Sequence, residues 1–203
     1  MIGLRQSSSI LVLGAVLLGM SHTANAQAPS AADQCFGCHN EDGVSDSPNI
    51  PTIAGMGDFF LENQLTIFAE SARPCLVDFL EDREAVDKCA LIGALPENTR
   101  AALAEYFDGL SFESFDQPVD QVLAEQGAAL HGDSCDRCHT ANGTETWDDA
   151  GILAGQPIPY LVRQLRNFRE GKRWQPESMA RETEALTNDQ IEALANFYAG
   201  AAL

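Results

Sequence analysis

The chain carries the pattern Cys-x-x-Cys-His twice, as Cys35-Phe36-Gly37-Cys38-His39 and Cys135-Asp136-Arg137-Cys138-His139, 100 residues apart. Two thiols and an imidazole on one turn of backbone can reach one porphyrin. The thiols add across its two vinyl groups, and the histidine is held under the iron as the proximal ligand. Each copy therefore reads as a c-type haem attachment site, and two copies predict two covalently bound haem c groups. Cys35, Cys38, Cys135 and Cys138 are the expected attachment points, and His39 and His139 the expected axial ligands. A Cys-x-x-Cys pair can also be half a zinc site or a redox disulfide, but a histidine directly after both copies fits neither.

Residues 1–26 read as a cleaved secretory leader: Arg5, an apolar run from Ile10 to Met20, then Ala24-Asn25-Ala26. The run is shorter than the about 20 apolar residues that a membrane span needs. An uncleaved anchor is the alternative, and no other stretch is expected to span a membrane. Export implies the periplasm. The chain holds 30 acidic against 12 basic residues, a net charge of −18, with the acids concentrated in the first half. That balance argues against nucleic acid and anionic lipid as partners.

The two halves resemble each other well beyond the haem motifs. Asp42-Gly43 matches Asn142-Gly143, and Ile53-Ala54-Gly55 matches Leu153-Ala154-Gly155. Phe60, Leu61, Gln64, Leu65, Phe68, Glu70 and Arg73 match Tyr160, Leu161, Gln164, Leu165, Phe168, Glu170 and Arg173, without a gap. Further on, Ala94 to Gly109 aligns with Ala185 to Gly200 at an offset of 91, so the first half has a net insertion of nine residues between 74 and 93. Helical spacing of apolar residues predicts helices over 59–72, 97–108, 159–171 and 187–199, and another from Val119 into the second motif. Thr187-Asn188-Asp189-Gln190 is a cap-like start, and Gly109 and Gly200 suit helix ends. Nothing reads as a run of alternating strands. The expected fold is all-α, two tandem cytochrome c-like (class I) domains related by duplication. The leader occupies 1–26, the first domain 27–110, a polar linker 111–118 and the second domain 119–203.

The sixth position on each iron decides what the haem can do. In the second half Met179 is the only methionine after the motif, and its place in a polar loop before the last helix makes it the expected ligand. In the first half Met179 aligns with Lys88, and Ala180 with Cys89. Four options stand there: Lys88 as a neutral amine, Cys89 as a thiolate, Met56 by rearrangement, or no protein ligand. Cys75 and Cys89 both fall in the inserted region, and an oxidising compartment favours a disulfide between them over ligation by Cys89. An amine or thiolate would place the first potential below the second, so that electrons run from haem one to haem two. His131 reads as a packed or solvent-facing residue, and no Ser-His-Asp set or acid/base pair is evident.

With these halves, the Ile/Leu-Ala-Gly turns and Met179, the chain resembles the dihaem cytochromes c of the cytochrome c4 type. The second half is similar to the cytochrome subunit of flavocytochrome c sulfide dehydrogenase through Phe115-Asp116, Gly127-Ala128-Ala129-Leu130-His131, the second haem motif, Ile152 to Gln156, Pro159-Tyr160-Leu161, Phe168-Arg169-Glu170 and Met179-Ala180. That resemblance implies a subunit that accepts single electrons from a flavoprotein (FAD) partner oxidising sulfide and passes them to a soluble acceptor, such as a small cytochrome c or an oxidase. It also implies a methionine ligand in each half, and this chain lacks the first. Two rival readings are a free cytochrome c4-like carrier to a terminal oxidase, and a haem enzyme of sulfur-compound oxidation using the atypical first haem.

Overall fold

The computed structural model describes residues 28–78, 84–147 and 149–201. The leader expected at 1–26 lies outside the described residues. The first half runs through a 3₁₀ turn (Ser30–Ala32), α1 (Asp33–His39), α2 (Asp58–Ala69), β1 (Leu76–Val77), β2 (Val86–Asp87), α3 (Lys88–Gly93) and α4 (Glu97–Asp108). The second runs through α5 (Gln121–Leu130), a π-helical turn (His131–Cys135), the short α6 (Thr140–Gly143), α7 (Ile158–Arg169), α8 (Glu177–Thr183) and α9 (Asn188–Gly200). The fold is two all-α cytochrome c domains in tandem.

The four helices expected in matched pairs are α2 with α7 and α4 with α9. The first pair ends two or three residues earlier than the apolar spacing suggests, for a local reason. Ser71 and Gly171 take φ of 56° and 65°, which stops an α-helix. In both halves the last carbonyls are then met from beyond the end: Ser71 N–H donates to Phe68 O and Ala72 N–H to Ile67 O, while Gly171 N–H donates to Phe168 O and Lys172 N–H to Asn167 O. This is the Schellman arrangement. It sends the chain back across its own helix, so that Arg73 and Arg173 come to lie beside Phe68 and Phe168.

α9 starts as its sequence suggests. Gln190 N–H donates to Thr187 Oγ1, and the Gln190 side chain accepts from Thr187 N–H, a reciprocal capping box. α5 is capped by Asp120, whose carboxylate accepts from Val122 and Leu123 N–H. α5 then crosses α9 at very short range. A Cβ built on Gly127 would lie 2.2 Å from Ala193 O and 2.7 Å from Phe197 Cβ, so only glycine fits the crossing. The residues that align with α5 in the first half fall largely outside the described residues.

The inserted region departs from the all-helical expectation. β1 and β2 pair antiparallel as Leu76 with Asp87 and Val77 with Val86. The Cys75–Cys89 disulfide closes this ribbon, with a Cα–Cα distance of 5.1 Å. Met179, expected in a loop, stands in the first turn of α8.

The halves also share a core. Ile152 and Ala154 of the second pack in one cluster with Met56, Leu61, Leu103, Ala104 and Phe107 of the first, whereas Leu161, Val162, Ile191, Leu194, Ala195 and Tyr198 form a cluster within the second. Residues 111–120 have neither helix nor strand, yet they are pinned. Phe115 N–H donates to Gly155 O, Gln117 bonds both Gln156 O and Ile158 N–H, and Glu113 O accepts from Thr52.

Two outcomes follow. Gly127→Ala gains up to about 1 kcal/mol of helix propensity, but overpacking against a backbone carbonyl costs about 3 kcal/mol, so thermal scanning should show a fall in Tm of about 5 °C. An unchanged Tm would mean a wider crossing. Removing the disulfide as Cys75→Ser/Cys89→Ser should cost up to about 3 kcal/mol, the loop-closure value for about 15 residues, read as a lower denaturation midpoint. Two alkylatable thiols in the native holoprotein would contradict the pairing.

Candidate functional site

α1 carries Cys35, Cys38 and His39 on one wall of a cavity of about 210 Å³. Most of the lining is apolar, from Ile53, Phe60, Leu65, Phe68, Leu91, Leu95 and Leu103 among others. Toward the domain boundary it turns cationic and amidic, with Arg73, Lys88, Arg163, Gln64, Gln164 and Asn49, and among the described residues no Asp or Glu lines it. In a chain of net charge −18, that absence is selective.

His39 Nδ1 lies 2.9 Å from Pro51 O. It donates there, which fixes the tautomer and leaves the Nε2 lone pair for a metal. Burial, reinforced by the nearby Lys88 ammonium, pushes its pKa down to about 3, so the imidazole is neutral. Burial holds the Cys35 thiol up at about 11 and raises Cys135 as well. These are protonated thiols, unlike the depressed thiolates of redox Cys-x-x-Cys centres, and all four motif cysteines are unpaired. The zinc alternative fares no better. Among the described residues the one grouping of three His, Cys or carboxylate ligand atoms within 4.8 Å is Cys75, Asp87 and Cys89, and both of its sulfurs are bonded to each other.

In the second half Cys138 N–H and His139 N–H both turn back to Cys135 O. His139 is also neutral, its pKa lowered to about 4 by burial and by His131. Its Nδ1 is buried without a hydrogen-bond partner among the described residues, and Gly151 stands where the first half has Pro51. His131 is packed: Nδ1 is 3.0 Å from Tyr198 Oη and Nε2 3.2 Å from Asp136 Oδ1. It braces α5 against α9.

The structure narrows the options for the first iron. Cys89 is not a ligand, because its sulfur is bonded to Cys75. Met56 is committed as well. Its Sδ accepts from Gln156 Nε2 at 3.4 Å, and the same amide is held at both ends by Thr52. Lys88, by contrast, reaches the cavity that His39 lines, with Nζ 5.3 Å from the Phe68 ring centroid. Burial and Arg73 lower its pKa to about 8.

Where the halves meet, two arginines and two glutamines cross. Arg73 donates to Gln64 Oε1 at 2.7 Å and to Gln164 Oε1 at 3.1 Å. Arg173 donates to Gln164 Oε1 at 2.8 Å and to Gln64 Oε1 at 2.6 Å. Each guanidinium lies over its own phenylalanine, 4.1 Å from the Phe68 centroid and 4.3 Å from the Phe168 centroid. Both are buried, both Nε atoms lack a hydrogen-bond partner among the described residues, and burial lowers the pKa of each. Arg163 reaches from α7 to Asn49 of the first half. The repeat pairs Gln64 with Gln164 and Arg73 with Arg173 in the sequence, but their crossing and the reach of Arg163 are visible only in three dimensions.

The donor set suits haem c. Thiols and a neutral imidazole stand on one wall, aliphatic and aromatic side chains match a flat macrocycle, and cations with open donor atoms match its two carboxylates. Among the described residues no helix is long and apolar enough to cross a membrane.

No protein-family model matches the chain. It is 30% identical to cytochrome c4 of Stutzerimonas stutzeri over 95% of its own length and 99% of that protein. It is 28% identical to the thiosulfate dehydrogenase electron acceptor of Thiomonas intermedia over 98% of its own length and 92% of that protein. The crystal structure of reduced cytochrome c4 from Pseudomonas stutzeri superposes with a TM-score of 0.70 at 29% identity, covering 84% of this chain and 95% of that one. A thiosulfate dehydrogenase of Marichromatium purpuratum matches with a TM-score of 0.66 at 26% identity, covering 83% of this chain and 36% of that one. With two haem motifs, two matched helical halves and this coverage, the chain belongs to the cytochrome c4 family and is a dihaem electron carrier with two covalently bound haem c groups.

Proposed function

We propose that this carrier works in the periplasm and takes single electrons from a dehydrogenase of inorganic sulfur compounds, of the thiosulfate-oxidising kind, for delivery to a soluble acceptor. The observation that carries the reading is the locked, face-to-face arrangement of two haem-type domains through Arg73, Gln64, Gln164 and Arg173. It supports a fixed relay between two redox centres rather than a site for turnover. Relatives named as electron acceptors of thiosulfate dehydrogenase support the choice of donor. The leader-like residues 1–26 and the requirement for haem attachment support the compartment.

Haem supplies the one-electron couple, and the chain supplies attachment, orientation and charge. Cys35, Cys38, Cys135 and Cys138 are the attachment points in this reading, and His39 and His139 the proximal ligands. The bond from His39 to Pro51 O keeps the first imidazole in one orientation through repeated charge changes. Met179, on the first turn of α8, serves as the second sixth ligand and raises that potential. Arg73 and Arg173 offer donors to the carboxylates at the junction. A flavoprotein oxidising sulfide is the second candidate donor, favoured by the second-half residues that resemble its cytochrome subunit.

The ferric holoprotein should be reduced within seconds by thiosulfate and a thiosulfate dehydrogenase in stopped-flow absorbance. No reduction there, with full reduction by dithionite, would sink the proposed donor. Reduction by sulfide and a flavoprotein instead would select the second. Met179→Ala should abolish the sulfur-to-iron charge-transfer band and lower the second potential. A retained band would remove Met179 as ligand.

A further inference from the structure

We infer that Lys88 is the sixth ligand of the first haem iron, and that the Cys75–Cys89 disulfide with its two-stranded ribbon exists to aim it. The inference rests on the first cavity being a haem site. Four independent features converge on this lysine. Counting back from the matched last helices places it at the position of Met179, and in the structure Lys88 opens α3 while Met179 stands in the first turn of α8, two short helices that precede those last helices. It lines the same cavity as Cys35, Cys38 and His39. The competing donors are spent: Cys89 in its disulfide and Met56 in its bond with Gln156. Finally, its amine has no acid to pair with. Among the described residues no carboxylate lines the cavity, and no hydrogen bond or ion pair to Nζ is found, only the Phe68 ring at 5.3 Å. The adjacent Asp87 turns its carboxylate away to cap α3, accepting from Ala90 N–H at 3.0 Å.

The aim is set by the backbone around the residue. Lys88 N–H donates to Cys75 O at 2.9 Å, the pairing of Leu76 with Asp87 holds the preceding residue, and the disulfide holds the following one. A four-carbon stem is flexible, and holding a half-buried lysine in one rotamer costs side-chain entropy. Fixing its backbone on both sides removes the other source of freedom. Ligation needs one proton to leave the ammonium for solvent. The nitrogen lone pair then forms the bond to iron, with no change in oxidation state. A hard amine favours ferric iron over ferrous, whereas a thioether favours ferrous. The first haem then has the lower potential, and electrons entering there run downhill to the Met179 side.

The test uses holoprotein matured with its haems, counted by intact mass and pyridine haemochrome. Fewer than two haems per chain would overturn the haem-site reading itself and the inference with it. With two haems present, electron paramagnetic resonance and near-infrared magnetic circular dichroism of the ferric protein should show one amine-ligated and one thioether-ligated low-spin centre. Lys88→Met, which preserves length and packing, should double the sulfur-to-iron charge-transfer intensity per chain and narrow the gap between the two potentials. Lys88→Ala should turn the first centre high-spin or open it to added imidazole. If both variants keep the wild-type ferric spectra and potentials, Lys88 is not the ligand, whatever the electron-transfer activity.

Discussion

Two positive charges buried side by side hold this molecule in its shape. Arg73 and Arg173 meet at the junction, and each shares the same two glutamine oxygens. The charges acting on Arg73 include Arg173 and Arg163, both repulsive, while Arg173 feels Asp149 and Tyr160. Burying a guanidinium without a full counter-charge is costly. Haem carboxylates held at the junction would supply such charge and would couple cofactor binding to domain docking. Everything at the junction depends on where the two arginines stand, which is set by the Schellman ends of α2 and α7. A helix stop in each half thus determines the geometry between the halves.

Much of this was legible in the chain. Thr187 and Gln190 announced their capping box, the paired apolar periodicities announced the long helices, and the constant offset announced that Gln64 and Arg73 have counterparts. The oxidising compartment anticipated the disulfide. What escaped the sequence depends on contacts rather than on local preference. β1 and β2 are two residues each, too short for any alternation to show, and the disulfide that flanks them holds them together. Met179 looked like a loop residue because Pro176 and the polar residues around it mask a short helix. Gly127 carried no signal of its own, since its need appears only when α9 lies across it. The reach of Arg163 into the first half was equally hidden, because its counterpart is Asn63 and the repeat gives no hint of it.

The two halves have diverged at both faces of the haem. On the proximal side, Pro51 O fixes His39, while in the second half Gly151 stands at the matching position and His139 Nδ1 has no hydrogen-bond partner among the described residues. On the distal side, under the proposed ligation, a covalently braced lysine in the first half stands where the second half has a methionine on a plain helical turn. The duplicated scaffold is alike in its helices and, under that ligation, varied in the few atoms that would touch iron. That is where variation changes potential at little cost in folding.

Arg163 gives the duplication a direction in time. It belongs to the second half, yet it bonds Asn49 and walls the first cavity, together with Tyr160, Gln164 and Asn167. Ile152 and Ala154 likewise fill the first core. A newly doubled gene yields two copies that could each survive alone. Once one copy lends its side chains to close the other, deleting it would open the neighbour's cavity to water, and a return to a single domain would carry that cost. The ancestral unit has become half of an indivisible one.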